Sequence, residues 1–375
     1  MTTRIPLAER NSPWRGAIDL ARRAYPGFVF GTGVDPAILP VFHFHEVTAD
    51  YLEPHLAYLR ENGYRTVNAD AVARFVRDGV HPGEKTVALT FDDAWASAWT
   101  VATPLLRRYD SIATLFVAPG RVPLDDVMRP MLGDAGGPPA DVDRSAVPFA
   151  TWPELRAMQG TGLWDIQSHS FAHAKIFCAS SLAGFVTPEY RTHIHDAPNV
   201  GTATKPVFLN ADHLGAPLHT LRSRMADALR YDDTEARLAC EALVKSGCGA
   251  SFFEAPDWGK KLRKAMRGKR GKMETREERD AAIRADLEAA RETLQSKLKI
   301  NSVRHICFPW AVAGKSAEAL AQEVGYESAY ADTLGALHAA RSGSNPFRIM
   351  RLKHKYIFAL PGRRRRSWWN VLRKH

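Results

Sequence analysis

The sequence predicts an α/β protein built on a mostly parallel sheet, closed or open, with an insertion of about 100 residues. Three observations carry that prediction. From residue 37 onward, short β-branched or aromatic runs alternate with segments whose apolar residues recur at helical spacing. The alternation is lost between about 176 and 275 and then returns. At 375 residues, 45% hydrophobic and 25% charged, the chain can bury a large core and has an ordinary globular composition.

Residues 1–36 form a lead-in with one short helix. ILPVFHF (38–44) then reads as a strand, and YLEPHLAYLRENGY (51–64) as a helix with Leu52, Leu56 and Leu59 on one face. TVALTF (86–91) is a strand, TVATPLLRRY (100–109) a helix and IATLFVA (112–118) another strand. The Gly/Pro-rich stretch 119–150 reads as a loop. A helix resumes at TWPELRAMQ, where Thr151 and Glu154 have capping-box spacing, and LWDIQSH (163–169) follows as a strand. After the interruption, Ile283, Leu287, Ala290, Leu294 and Leu298 share one face of a helix at 277–299. VRHICFPW (303–310) is a strand, SAEALAQEVGY (316–326) a helix, YESAYA (326–331) a strand and PFRIMRLKHKYIF (346–358) the last one.

No apolar run is long enough to span a membrane, and the charges of the first 27 residues are too closely spaced for a signal peptide. Cys178, Cys240, Cys248 and Cys307 form no CxxC pair, which suits a reducing, cytoplasmic location. The net charge of +10 is localised. Residues 260–272 hold eight Lys/Arg and no acid, and 361–375 hold six more; without those 14 the remainder stands at −4.

Two carboxylates, Asp92 and Asp93, end the apolar strand TVALTF. In parallel α/β folds, working residues lie at the carboxyl ends of strands. Carboxylates this close raise each other's pKa unless a cation or a division of labour separates them. On this stretch alone, a helix-capping Asp beside a solvated one is an alternative account. His169 and His173 lie four apart just past another apolar strand, a spacing that lets two imidazoles face one divalent cation. Two His and one Asp at strand ends make a three-ligand site with room for water.

VALTFDD followed by His-Ser-x-x-His resembles the first two motifs of the polysaccharide deacetylases (the NodB-homology family, carbohydrate esterase family 4). LPVFHFHEVT (39–48), LRENGYRTV (59–67), TWPELRAM (151–158), FPWAVAGKSAEALAQEVGYESAY (308–330) and PFRIMRL (346–352) extend the likeness over about 37–175 and 296–355. The resemblance implies a distorted (β/α) barrel of about seven strands, NodB-type, with the deacetylase barrel at 37–175 and 296–360. The insertion is then 176–295 and the basic tail 361–375. It implies that Asp92 is the catalytic base and that Asp93, His169 and His173 hold one divalent metal ion, by default Zn²⁺. The activity implied is hydrolysis of an N-acetyl amide, or an O-acetyl ester, on a sugar.

The chain departs from the family's third motif, Arg-x-Pro-Tyr-Gly, whose Arg orients the catalytic Asp. Here the residues are Cys307-Phe308-Pro309-Trp310-Ala311. Another cation must steady Asp92, or Asp92 works unassisted. Pro309 and Trp310 would still wall the substrate pocket. Leu352-Lys353-His354 matches the last motif, which supplies a His as general acid; a solvent-side His in a basic strand is the alternative. His45, with His43 on the same strand face, is a second candidate lining the site. Asp165 could orient an imidazole or serve structure alone. Arg351 matches an Arg of relatives that could form a salt bridge near the catalytic Asp.

Trp258, Leu262 and Met266 recur at four-residue spacing within the first basic block, and the tail sets four arginines before Ser-Trp-Trp. Both patterns (258–272 and 363–374) suit an anionic membrane surface; a solvated run is the alternative, and no nucleic acid is expected. The functional expectation is a metal-dependent sugar deacetylase, peripheral on the inner membrane face, acting on a lipid-linked or glycolipid precursor. A hydrolase of a non-sugar C–N bond and a silent carbohydrate-binding protein are the rivals.

Overall fold

The computed structural model describes residues 13–134 and 148–373. The first part of the lead-in (1–12), the centre of the loop (135–147) and the last two residues of the tail lie outside the described residues. Seven parallel strands form the sheet that carries the site: β1 (Val41–Phe44), β2 (Thr86–Asp92), β3 (Ala113–Val117), β4 (Trp164–Ser168), β5 (His305–Cys307), β6 (Ser328–Tyr330) and β7 (Leu352–Lys353). The order is β6-β5-β4-β3-β2-β1-β7, and the short strand Arg65–Val67 adds to β2.

The ends of this sheet meet. Leu352 pairs with Phe42 on β1, while Ile349, three residues earlier, bridges Tyr330 on β6. Ala331 N–H donates to the Ile349 carbonyl at 3.2 Å and Ile349 N–H to the Ala329 carbonyl at 3.0 Å. One segment, 349–353, thus touches both edges and closes a seven-strand (β/α) barrel. Closure is uneven: β4 and β5 pair only at Ser168–Ile306. The buried Gln167 side chain mends that seam by accepting from the Arg304 and His305 N–H groups, each at 2.9 Å, and donating to the Ser302 carbonyl at 3.0 Å.

Alternation along each strand decides what faces inward. The interior core joins Val41, Ala88, Phe116, Cys307, Tyr330 and Ile349 to Val72, Phe75 and Val76 of the helix Ala69–Asp78. That helix closes the amino-terminal end. Its Ala69 N–H donates to Asp165 at 3.0 Å, and its Asp70 bonds His305 at 2.8 Å, where β4 and β5 begin. Asp165 therefore belongs to the barrel floor, bonded also to Thr114 and Gln167, and not to the imidazole of His169.

The chain divides into two compact units: Met1–Phe171, Ala290–Ala311 and Gln322–His375, which hold the barrel, and Ala172–Ala289 with Val312–Ala321. The second unit has an antiparallel pair, Lys175–Phe185 with Pro217–Ser223. Phe185, Cys240, Val244, Phe252 and Leu262 form one of its small cores. The helix Trp258–Ala265 contributes its apolar face to that core, with Trp258 against Phe253 at 5.2 Å. What it leaves outward is charge. In the barrel unit, Arg365 of the tail donates to the Phe28, Gly31, Thr32 and Ala359 carbonyls, and the Arg366 guanidinium lies 3.9 Å over Phe358. The tail helix Trp368–Arg373 is thereby held down, with Trp368 and Trp369 stacked and Trp369 59% exposed. Among the described residues no helix is long and apolar enough to cross a membrane.

Candidate active site

Ala88, Thr90 and Asp92 are successive inward positions on β2, running from the apolar core to the carboxyl end of the strand. Asp92 is the last residue in the ladder; Asp93 and Ala94 turn the chain at φ 72° and 56°. Backbone in this left-handed region costs L-residues free energy and concentrates at functional sites. The same feature recurs at Ser170 and His173, and at Trp310 and Ala311 (φ 55° and 51°). Three strand ends therefore carry unusual backbone, and these are the segments of the three sequence motifs.

The neighbouring carboxylates have different partners. Asp92, buried, accepts two parallel bonds from Arg351, Nη1 to Oδ1 and Nη2 to Oδ2, each at 2.7 Å. Burial by itself would raise its pKa, but the Arg351 guanidinium holds the carboxyl well below the usual carboxylate range. Arg351 is itself buried; Nη1 also donates to Thr90 Oγ1 at 2.9 Å and Nη2 lies 3.0 Å from Cys307 Sγ. The rings of Phe116 and Tyr330 flank it at 5.9 and 5.8 Å. Asp93 instead accepts a bond from Trp95 Nε1 at 3.2 Å on Oδ2, while Oδ1 faces His169 Nε2 at 3.3 Å.

Ligand atoms of Asp93, His169 and His173, all buried, lie within 4.8 Å of one another. The donor set fits a divalent cation. His169 Nδ1 donates to the Cys307 carbonyl at 2.6 Å, which turns Nε2 toward Asp93, as a donor when protonated and as a ligand when not. A metal-binding imidazole is ordinarily fixed by such a bond from its other nitrogen. Although burial disfavours a charged imidazole, Cys307, Asp93 and Asp92 push the pKa of His169 well up, so the surroundings favour positive charge there. A second set, Asp92, His169 and Cys307, meets the same distance. It already has a cation: Arg351 lies against both Asp92 and Cys307.

Of the other expected residues, His45 is 52% exposed and reaches Asp92 Oδ2 with Nε2 at 3.8 Å. His43, one inward step earlier on β1, lies edge-on to His45 at 5.5 Å; burial and Arg351 lower its pKa well below the ordinary imidazole value. His354 follows β7 but bonds the Tyr51 hydroxyl through Nδ1 at 2.8 Å, next to Phe44 and His55. Burial lowers its pKa to about 4. Pro309 and Trp310 sit just past β5, at the same strand end as Cys307. Trp95 and Cys307 escaped sequence reasoning as site residues. Trp95 had one usable signal, its place two residues after Asp93; Cys307 stood at the motif's arginine position and read only as a small buried thiol.

Residues 79–198 match the model of the family described as polysaccharide deacetylase. A Bacillus subtilis protein named for that family, YxkH, is 26% identical over 121 residues, 30% of this chain and 43% of the relative. The poly-beta-1,6-N-acetyl-D-glucosamine N-deacetylase of Escherichia coli K12 is 30% identical over 165 residues, 43% of this chain and 23% of that protein. The chain thus spans less than half the length of the curated relatives it matches. Among solved structures, the BpsB deacetylase domain of Bordetella bronchiseptica aligns at 16% identity and a TM-score of 0.49, covering 85% of this chain and 97% of that one. Streptococcus pyogenes PplD in complex with acetate aligns at 14% and 0.48, covering 90% and 98%.

Proposed function

The chain belongs to the polysaccharide deacetylase family of NodB type, and from that premise we propose that it hydrolyses acetyl groups, N-acetyl amides first, from an acetylated carbohydrate. The observation that carries this reading is the division of the carboxylate pair: Asp92 bonded to a guanidinium, Asp93 among two imidazoles.

Asp93, His169 and His173 would hold the divalent ion, Zn²⁺ by preference, which when bound polarises an acyl carbonyl and acidifies water. Everything else falls to the protein. Asp92 stays ionised under Arg351, which lowers its basicity, and its oxygens keep acceptor lone pairs beside the Asp93 set, so its place rather than its pKa makes it the carboxylate to take the proton of the attacking water. His45, facing Asp92 and open to solvent, delivers a proton to the departing amine. His354, bonded to Tyr51 and set against Phe44 and His55, is given no proton transfer in this reading. Trp310, held in its unusual backbone conformation at the end of β5, offers a flat face to a sugar ring.

Metal content and acetate release from acetylated amino sugars test the reading together. Wild type should hold about one divalent ion per chain and release acetate, with Asp93→Asn and His173→Ala losing the ion. Asp92→Asn should keep the ion and lose about 10²- to 10⁴-fold in kcat, the usual worth of a positioned base. His45→Gln should cost more than His354→Gln. Acetate release from acetylated polyamines but not from sugars would move the substrate to a non-sugar amide.

The anionic-surface part of the proposal rests on the tail, since the helix Trp258–Ala265 uses its apolar face internally. Arg364 is exposed and Trp369, five residues later, is exposed too, the combination that favours a bilayer interface. If the tail binds an anionic membrane surface, anionic liposomes should float the full chain and not one ending at Leu360; equal flotation would remove the tail from the reading.

A further inference from the structure

We propose that the basic segment 260–272 of the second unit is a docking face for an acidic polysaccharide, so that the polymer this enzyme deacetylates carries anionic groups as well as acetyl groups. The identity of the polymer as substrate rests on the hydrolase reading; the docking face does not.

The segment is an ordered ridge. Within the helix Trp258–Ala265 and just past it, Trp258, Leu262 and Met266 pack inward on the core around Phe252. Beyond the helix, the Arg267 and Lys269 N–H groups donate to the Lys264 and Met266 carbonyls, each at 3.1 Å. Lys272 and Met273 then pair with Asp232 and Tyr231. Gly271 lies so close to the Tyr231 ring and the Asp232 carbonyl that a β-carbon would not fit. Two of the basic side chains are answered by acids, Lys261 by Asp257 at 2.8 Å and Lys272 by Glu278 at 3.4 Å. Lys260, Arg263, Lys264, Arg267 and Arg270 are exposed and meet no acid at ion-pair distance among the described residues. Lys260 stands three and four residues before Arg263 and Lys264, and like charges at those spacings oppose a helix. Lys260 also lies in the first turn, at the positive end of the helix dipole. Folding is not served by that crowding; an anion from outside relieves it.

The surroundings select the anion. A bilayer takes up a basic helix by its apolar face, and here that face is used inside; Met273, 43% exposed, is the large apolar side chain left beside the charges. Single-stranded nucleic acid is gripped by aromatic platforms set among the charges, and the aromatic residue of this segment, Trp258, packs on the core. A carboxylate-bearing glycan needs neither. Guanidinium and ammonium groups along an exposed ridge meet its acids directly, arginine with two parallel bonds.

Deacetylation adds a second constraint. Hydrolysis of each N-acetyl amide releases acetate and leaves an amine that takes up a proton. A polymer of amino sugars alone would become a polycation, which this face repels. One with an acid in its repeat starts anionic and moves toward neutrality, so the face holds the acetylated stretch and releases the finished one.

The test uses the full chain and two labelled probes of equal length: heparosan oligomers, in which N-acetylglucosamine alternates with glucuronate, and neutral chitin oligomers. Wild type should bind heparosan at least about tenfold more tightly than chitin at about 50 mM salt, and lose about tenfold or more of that affinity by about 200 mM. Reversing four charges, Lys260→Glu/Arg263→Glu/Lys264→Glu/Arg267→Glu, should abolish the preference and leave acetate release from a small acetylated amino sugar unchanged. Arg363→Gln/Arg364→Gln in the tail should change heparosan affinity less than about threefold. Lys264→Gln/Arg267→Gln serves if the fourfold variant does not fold. Equal binding of the two oligomers overturns the inference, and so does a heparosan affinity unmoved by a folded variant of the face. Tighter binding of a DNA duplex of equal charge number, or of phosphatidylglycerol vesicles, also overturns it when that binding is lost in the face variant and kept in the tail variant. Nucleic acid or lipid would then be the occupant. If wild type releases no acetate from any acetylated sugar, the hydrolase reading fails while the binding series still decides the docking face.

Discussion

Two adjacent carboxylates share a strand end and almost nothing else. Asp92 closes the inward row of β2 under Arg351, and Asp93, one residue on and past the turn, belongs to Trp95 and His169. The doublet and the His-Ser-x-x-His spacing were legible because they are local. Arg351 as a salt bridge near the catalytic Asp came only from the family resemblance, since no local pattern tells which of 51 basic residues crosses the barrel. Trp95 carries a prediction at this scale. Its indole N–H holds the Asp93 oxygen that His169 does not face, so it sets the angle of the carboxylate toward an ion. Trp95→Phe keeps the ring against Phe149 and removes only the donor. Loss of such an outer partner typically weakens metal binding about 10- to 100-fold. Competition with a zinc chelator should show that drop with the melting temperature nearly unchanged; an unaltered affinity would make the indole a packing group only.

Individual helices and strands were legible in proportion to their length. The stripe Ile283, Leu287, Ala290, Leu294 and Leu298 is buried throughout, and Thr151 and Glu154 form the capping box their spacing implied. β5, β6 and β7 span only three, three and two residues; the readings at 303–310, 326–331 and 346–358 found each strand but overran it, and His354–Ala359 is a 3-10 helix where the last strand was expected to continue. The basic segment 258–266 shows the opposite error: an amphipathic pattern says that one face is covered, not by what. Its cover is Phe185, Val244 and Phe252. Gln167 is the informative oddity, a polar residue in the middle of a buried strand, and the fold uses it as a substitute for ladder bonds. Gln167→Leu would leave the Arg304 and His305 N–H groups without that acceptor. At about 1–3 kcal/mol for each of the two groups so stranded, denaturant unfolding should show a loss of about 2–6 kcal/mol. A loss under 1 kcal/mol would mean the β4–β5 seam holds without it.

At the scale of the molecule, barrel closure was the least legible feature, because it depends on one segment pairing with β1 and β6 across some 300 residues and some 20. Closure also creates an imidazole-rich corner where β7 meets β1 and the helix Ala49–Glu61. Burial there lowers the pKa of His55 to about 3 and that of His354 to about 4, with His354 adding to the effect on His55. Unfolded, both titrate near the ordinary imidazole value of about 6.5. Because the folded values are depressed, the unfolded chain binds more protons between those limits. The stability they contribute is complete above about pH 6.5 and is lost as pH falls toward 4 and then 3. Carboxylates such as Asp92 and Asp70, also depressed when folded, lose theirs only below about pH 4. Acid destabilisation should thus begin well above the carboxylate range, and each proton taken up adds to a chain already at +10. One proton corresponds to about 1.4 kcal/mol per pH unit, an upper limit for His354, which is part exposed. His55→Phe removes one such group and leaves an aromatic ring against Phe358 and Phe44. Unfolding free energies between pH 6.5 and 4 should then fall less steeply by close to one proton. Parallel wild-type and variant profiles would show that His55 is already charged in the folded protein, and the corner would have to be read as a hydrated one.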